Sequence, residues 1–321
     1  VRFSVMISSP AGNDLLYDES TLEQGRNFSN KMWNALKLIK GWEDRAADNV
    51  EDGDIHFALD WMEQRMAQAS QQIAEQIKEF KLSEGLKTIY SLIWDDFCSW
   101  YLEWVKPGMD QPISHHVYQR TVDIYEELLQ LLHPYMPFVT EEIFHQLRER
   151  KKGHDLMVEQ LPVYDSVNKD TLKQGDMLQE VITAVRDARV KNGLKPKDTI
   201  KLWITTQHNA FYDTVQEILR RQINAEHIGF TDEAKQGSIS VVVQTDKLYI
   251  EAEIAVDTAA QKEQLQKELS YLQGFLVSVD KKLSNERFVQ NAKAEVVDIE
   301  RKKKEDAEAK IKALEESLSL L

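Results

Sequence analysis

Between Ser20 and Trp42 the apolar residues recur at helical spacing. Phe28, Met32, Ala35, Leu36 and Ile39 share one face at ~100° per residue. Ser20, with Glu23 three residues on, reads as a capping box, and Gly41 stands near the stop. Ile55, Leu59, Met62, Met66, Ile73, Ile77 and Phe80 line one face of a second helix. Leu82, Leu86, Ile89, Ile93, Phe97, Trp100 and Trp104 line a third, ended by Pro107-Gly108. Ile113, Val117, Ile124, Leu128 and Leu131 line a fourth, stopped at His133-Pro134. Pro137 suits the first turn of a fifth, running to about Arg150. Short connections between long amphipathic helices make antiparallel neighbours, so residues 20–150 are expected to form a helical bundle. Residues 1–19 lead into it and carry loop chemistry at Ser8-Ser9-Pro10-Ala11-Gly12-Asn13-Asp14.

Downstream the pattern changes. Residues 151–175, with Gly153, Pro162 and Gly175, read as a linker. Residues 176–257 read as a small α+β subdomain: a helix over 176–192 ending at Asn192-Gly193, a strand over Thr199–Thr205 and a helix over about 209–222. A hairpin of Ser238–Gln244 and Leu248–Ala255 follows, turning over Thr245-Asp246-Lys247. In the final segment, 258–321, Leu265, Leu269, Leu272, Leu276, Val279 and Leu283 step in alternating fours and threes, a heptad seam. Val297, Ala307, Ile311, Leu314, Leu318 and Leu321 fit a second lattice after a loop over Ser284–Ala294. The expected fold class is therefore mainly α: an antiparallel helical bundle, a small α+β subdomain and a C-terminal antiparallel coiled-coil hairpin.

Composition narrows the functional classes. The 321 residues carry a formal net charge of −14 and a single cysteine, Cys98. That count excludes a disulfide framework and a multi-cysteine zinc site, and fits a reducing, cytoplasmic setting. No apolar run approaches the ~20 residues of a membrane helix. The chain begins Val1-Arg2-Phe3, without initiator methionine or secretory pattern, so it is expected to be a piece of something longer. Phosphate-cradling loops need glycine, and there are only 12. The final segment holds 12 basic and 12 acidic residues, so the negative charge lies upstream of it.

The sharpest chemical signal is the polar face of the helix 20–42. Arg26, Asn30, Trp33, Asn34 and Lys37 gather there with Asn27 beside them and no carboxylate. Cations for phosphate, amides for base edges and an indole for stacking are what single-stranded RNA requires. Periodicity alone leaves open an ordinary solvated face with Trp33 against a neighbour. Arg186 and Arg189, with Lys191, Lys195 and Lys197, form a second basic patch, for which the helix dipole is a sufficient reason. Lys281, Lys282, Arg287 and Lys293 cluster at the hairpin tip, and Arg301, Lys302, Lys303 and Lys304 make the densest basic run. These residues suit a phosphate backbone or a solvated helix pair equally.

Other apparent sites are set aside. His227-Ile228-Gly229-Phe230 matches three residues of a nucleotide-binding His-Ile-Gly-His signature but lacks the last, and reads as a strand. Asp95-Asp96 and Glu126-Glu127 are adjacent and diverge on a helix, so neither makes an acid/base dyad. His115-His116 lack the helical spacing of metal ligands, and Cys98, among Phe97, Trp100 and Tyr101, reads as a buried inert thiol.

Taken in order, these segments resemble the carboxy-terminal part of the bacterial valyl-tRNA synthetases, class I aminoacyl-tRNA synthetases, over essentially the whole chain. Glu23-Gln24-Gly25-Arg26-Asn27-Phe28-Ser29-Asn30-Lys31-Met32-Trp33-Asn34-Ala35 resembles that family's first anticodon-domain helix. The run Ile93 to Glu103 and the run Leu131 to Ile143 resemble later bundle helices, which the isoleucyl and leucyl relatives share. Lys282-Leu283-Ser284-Asn285-Glu286-Arg287-Phe288-Val289, then Ala292, Glu295-Val296-Val297 and Glu300, resembles the valyl coiled-coil arm. One departure falls at the arm's tip: Lys293 stands where the family usually has proline.

The resemblance implies a parent enzyme that uses ATP and Mg2+ to join valine to tRNA(Val) and hydrolyses mischarged threonine. This chain would hold none of those catalytic, cofactor or metal sites. It would bind tRNA(Val) as a monomer, with no role for DNA or a membrane. Arg26, Asn27, Asn30, Lys31, Trp33, Asn34, Lys37, Arg186 and Arg189 would face the anticodon region. Lys281, Lys282, Arg287, Lys293 and Arg301 to Lys304 would face the outer corner of the tRNA. The competing readings are a helical scaffold that dimerises through its heptads and the same region of an isoleucyl or leucyl relative.

Overall fold

A computed structural model describes residues 1–10, 12, 18–53, 55–161, 163–164, 166–235, 237–252, 258–285, 289 and 294–319. They divide into two compact units, Val1–Asp176 and Met177–Leu321.

The first unit is helical: α1 (Arg2–Ile7), α2 (Ser20–Lys40), α3 (Ile55–Lys78), α4 (Leu82–Ser91), α5 (Leu102–Val105), α6 (His115–Leu132), α7 (Pro137–Leu147) and the start of α8 (Lys169–Lys191). α8 therefore begins inside the stretch expected to be linker. Two-residue strands β1 (Ala46–Ala47) and β2 (Ile113–Ser114) pair in parallel. Ile113, expected on a helix, lies in this bridge, and Ser114 caps α6 by accepting from the Val117 N–H at 3.5 Å. Between α4 and α5 the chain does not stay α-helical. Leu92–Tyr101 forms π-helical turns, and the Ser99 hydroxyl donates to the Trp94 carbonyl five residues back at 2.8 Å.

The apolar face of α2 is locked into the core of this unit. Phe28, Met32, Leu36 and Ile39 are at most 2% exposed, and burying each such side chain contributes about 1.5–3 kcal/mol. Phe28 sits among Phe3, Tyr90 and Trp94, with ring centroids 5.4, 4.8 and 6.5 Å away. The buried Tyr125 hydroxyl donates to the Met32 carbonyl at 2.7 Å and ties α2 to α6. α1 crosses close to α2 at Gly25, where a Cβ would lie 3.0 Å from the Phe3 ring.

Three details of this unit depart from the helical pattern. Asp18, rather than a Ser20–Glu23 box, holds the start of α2: it accepts from the Ser20 N–H at 2.9 Å and the Ser20 hydroxyl at 2.6 Å, which keeps its carboxyl below the ordinary carboxylate value. Phe80 is not core but 81% exposed, at φ +58, where the Lys81 N–H closes α3 by donating to the Gln76 carbonyl at 2.8 Å. The left-handed region costs a bulky residue roughly 1–2 kcal/mol. α7 stops at Leu147, short of Arg150, because Arg148 turns extended and reaches Asp123 at 2.6 Å and Glu126 at 2.8 Å.

The second unit holds the rest of α8, then β3 (Ile200–Thr205), α9 (Asn209–Gln222), β4 (Ala225–Phe230), β5 (Ile239–Val243), β6 (Asp246–Glu251), α10 (Thr258–Leu283) and α11 (Ala294–Ser319). The sheet order is β4-β3-β6-β5. β3 and β4 are parallel, linked by α9, while β3/β6 and β5/β6 are antiparallel. The hairpin turns over Gln244-Thr245, one residue tighter than the pattern suggests, with Gln244 at φ +53.

α10 and α11 lie along each other. Lys282 meets Glu300 at 3.4 Å and Asp280 meets Lys304 at 2.8 Å, so the two helices run in opposite directions. Leu265, Val279, Val297, Ala307 and Leu314 are buried, and Leu269, Leu272, Leu276 and Leu283 are half-buried. Between Val297 and Ala307 the seam continues through Glu300, buried, and Lys304, half-buried. Leu321 lies outside the described residues.

Candidate nucleic-acid interface

On the solvent side of α2, Arg26, Asn27, Asn30, Asn34 and Lys37 are exposed, and Lys31 and Trp33 are half-buried. Among the described residues, the side chains of Asn27, Asn30, Asn34 and Lys37 are left without a protein hydrogen-bond partner. Their opposite face is locked in the core, so the row of amides and cations is presented on a fixed backbone. The Lys31 ammonium lies 5.1 Å from the centre of the Trp94 ring and 3.4 Å from the Ser99 hydroxyl. It thus turns toward the π-helical segment. The face is not free of carboxylate: Glu23 pairs with Arg26 at 2.8 Å, both side chains 66% exposed. Exposed pairs of this kind are worth about 0.2–1 kcal/mol, so Arg26 is readily exchanged onto a phosphate.

Beside Arg26 the structure places an aromatic ring that helical periodicity does not mark. Phe138, the second residue of α7, is 88% exposed and borders the same shallow cleft of about 330 Å³ as Leu22, Arg26 and Ser29. Its place in the sequence is marked only by Pro137, which starts α7 one residue before it.

The basic residues of the second unit divide sharply. Arg189, expected at an RNA surface, is buried: its guanidinium donates to the carbonyls of Lys195 at 2.7 Å and Pro196 at 3.2 Å, and to those of Ile223 and Asp198. It clamps the turn after α8 to the end of α9, and burial lowers its pKa. This corrects its reading as a surface contact. Arg186 is exposed, but its guanidinium binds the Gln222 carbonyl at 3.0 Å and the Gln222 side-chain oxygen at 2.8 Å.

On the helix pair, Arg301 meets Asp298 at 3.5 Å, Lys303 meets Glu300 at 2.7 Å, and Lys304 meets Asp280 and Glu308. Lys281 and Lys302 are exposed and make no ion pair among the described residues. Arg287 and Lys293 lie outside the described residues. The basic run is therefore a mixed-charge surface with Lys302 as its open cation.

The groups set aside as catalytic are accounted for. Asp96 is buried against Arg65 at 2.8 Å, Glu126 binds Arg148 and Arg150, and Glu127 accepts from the Tyr164 hydroxyl at 2.5 Å. Burial pushes the Cys98 thiol up to about 12, which leaves it un-ionised and unreactive near neutral pH. His227 stacks obliquely on Trp203 within the sheet, centroids 4.9 Å apart.

Residues 60–204 match the model of the anticodon-binding domain of tRNA ligases, and residues 257–321 match that of the valyl tRNA synthetase tRNA binding arm. Across all its residues the chain is 40% identical to the valine–tRNA ligases of Bacteroides fragilis and Phocaeicola vulgatus, and 39% to that of Porphyromonas gingivalis. Over its whole length the chain is similar to the valyl-tRNA synthetases. It spans 36% of the length of each of these three relatives. The arm model coincides with α10 and α11, whereas α2 precedes the residues matched by the anticodon model and is covered by the full-length likenesses. Among the described residues, no helix is long and apolar enough to cross a membrane.

Proposed function

We propose that this chain is the tRNA-recognition portion of a valine–tRNA ligase, with tRNA(Val) as its partner. The observation that carries the reading is the open row of Asn27, Asn30, Asn34 and Lys37 on a helix whose other face is immobilised. Arg26 and Lys37 bind phosphate, the three amides read base edges, and Trp33 and Phe138 offer ring surface for unstacked anticodon bases. Lys31 contributes charge at the margin, and Arg186, on the second unit, is a further cation for phosphate. The bundle, 20–150, takes the anticodon stem-loop. The helix pair, 258–321, acts as a coiled-coil arm along the outer corner of the tRNA, through Lys281, Lys302 and the neighbouring cations Lys282, Arg287, Lys293, Arg301, Lys303 and Lys304. Activation of valine with ATP and Mg2+, transfer to tRNA and removal of mischarged threonine belong to the remainder of such an enzyme. The chain works in the cytoplasm as a monomer.

The test is a titration of tRNA(Val) with the chain and with its Arg26→Ala/Lys37→Ala form. The double variant is expected to bind at least about tenfold more weakly, since a hydrogen bond to a charged group is worth roughly 1.5–3 kcal/mol. Unchanged affinity would remove α2 from the interface.

A further inference from the structure

We propose that two ion pairs between the helices, Lys282–Glu300 and Asp280–Lys304, set the register in which α11 lies along α10, and with it how far the helix pair projects. The burial pattern shows why a register device is needed. In α10 the buried and half-buried positions step in fours and threes from Leu265 to Leu283. In α11 they step in threes and fours through Val297, Glu300, Lys304 and Ala307, and on through Ile311 and Leu314 to Leu318.

Such a seam repeats with each heptad. Sliding one helix past the other by one repeat returns seam side chains to equivalent positions, so apolar contact alone separates these registers poorly. The helix ends do not decide between them either. Glu300 is level with Lys282, so Ala294–Ile299 run beyond Leu283, the last residue of α10. A slide of one heptad would bring the two ends nearly level.

Charge makes the difference. The seam of α10 is apolar, whereas Glu300 and Lys304 take consecutive seam positions of α11. Glu300 is only 6% exposed, and a carboxylate so placed is costly without a cationic partner. Lys303, 2.7 Å away on the same helix, stays beside it in any register. The partners across the seam do not. Lys282 meets Glu300 at 3.4 Å, and Asp280 meets the half-buried Lys304 at 2.8 Å. After a slide of one heptad toward the start of α10, the facing positions are Phe275 and Gln273, neither of them charged. After two, Glu300 faces Glu268. A slide the other way carries both charges past Leu283. Of these registers, the observed one alone gives each seam charge an opposite charge across the seam. Polar seam residues of this kind fix register at some cost in stability. The same register holds the exposed lysines Lys281 and Lys302 at one level of the helix pair.

The test measures one distance in the 321-residue chain, between spin labels on Gln266→Cys and Val296→Cys, both at exposed positions. Cys98 is buried and un-ionised, so it does not compete for label. A slide of one heptad shortens the distance by about 10 Å, at roughly 1.5 Å per helical residue. The otherwise unaltered chain is expected to give a single distance. Asp280→Lys/Lys282→Glu sets like charges against each other in both pairs and is expected to add the shorter distance. Combining it with Glu300→Lys/Lys304→Glu restores the attraction and is expected to remove that distance again. Glu300→Leu/Lys304→Leu keeps the helix pair formed on a wholly apolar seam and is expected to show both distances. The original distance alone in both the charge-reversed and the leucine forms would overturn the proposal. So would two distances in the chain with its four charges intact.

Discussion

Beneath the exposed side chains of α2 lie four apolar residues at most 2% exposed, an aromatic cluster and the Tyr125–Met32 hydrogen bond. Beneath those of α11 lies a single seam in which buried residues alternate with half-buried ones, and in which Glu300 takes a core position between two lysines. Both surfaces offer cations, but one is set on a rigid base and the other on a narrow strip held partly by charge. Base recognition needs side chains fixed to within fractions of an ångström, whereas phosphate contact tolerates a yielding support. The foundations thus match the division of labour proposed for the two elements.

The largest expected effect breaks the rigid side of that comparison. Phe28→Ala is expected to destabilise the first unit by about 3–5 kcal/mol in denaturant unfolding, as fully buried aromatics do. A loss below 1 kcal/mol would mean that α2 is no better founded than α11. Next is Gly175→Ala. A Cβ there would stand 2.0 Å from the Trp61 indole nitrogen, so Trp61 must shift, at about 1–3 kcal/mol, with a change in tryptophan fluorescence.

The helix pair should yield instead to acid. The Lys303 ammonium, hydrogen-bonded to Glu300, and Lys282 hold the Glu300 carboxyl below its ordinary value. A carboxyl with a depressed folded pKa contributes stability that is present above its unfolded value, about 4.3, and lost as pH falls through the lower folded value. Circular dichroism is expected to show part of the helix signal lost in that acid range, and Glu300→Gln to lack this step. Identical titrations would show that the charged position does not hold the pair.

The smallest effect sharpens the RNA side. Lys302→Ala is expected to weaken tRNA binding equally for all anticodons and to reduce the salt slope by about 1, the signature of one phosphate contact. Loss confined to one anticodon would contradict a phosphate role.

Much of this architecture was legible from local periodicity. The helices α2, α3, α6, α7 and α9, strand β3 and the heptad spacing of α10 all follow from side-chain patterns within a few turns. What escaped depends on partners distant in sequence or on apolar residues read alone. Ile113 bridges to Ala46 across the chain, and a run of π-helical turns at 92–101 has too few repeats to betray its longer period. Phe80 looks like the last core residue of α3 until the turn at Lys81 rotates it into solvent. Glu300 was hidden because only apolar residues were counted into the seam.

The candidate site was legible in the same uneven way. The open row on α2 is written in its periodicity. Arg189 was misread because an arginine in a last helical turn looks like a dipole partner, and only the fold brings the carbonyls of Ile223 and Asp198 to it.

The most direct measurement is a filter-binding titration of the chain with tRNA(Val) and with the same tRNA carrying an altered anticodon, at two salt concentrations. The account predicts salt-sensitive binding of both, with the native anticodon tighter. Equal affinity for the two, or no binding at low salt, would contradict the assignment of base recognition to α2.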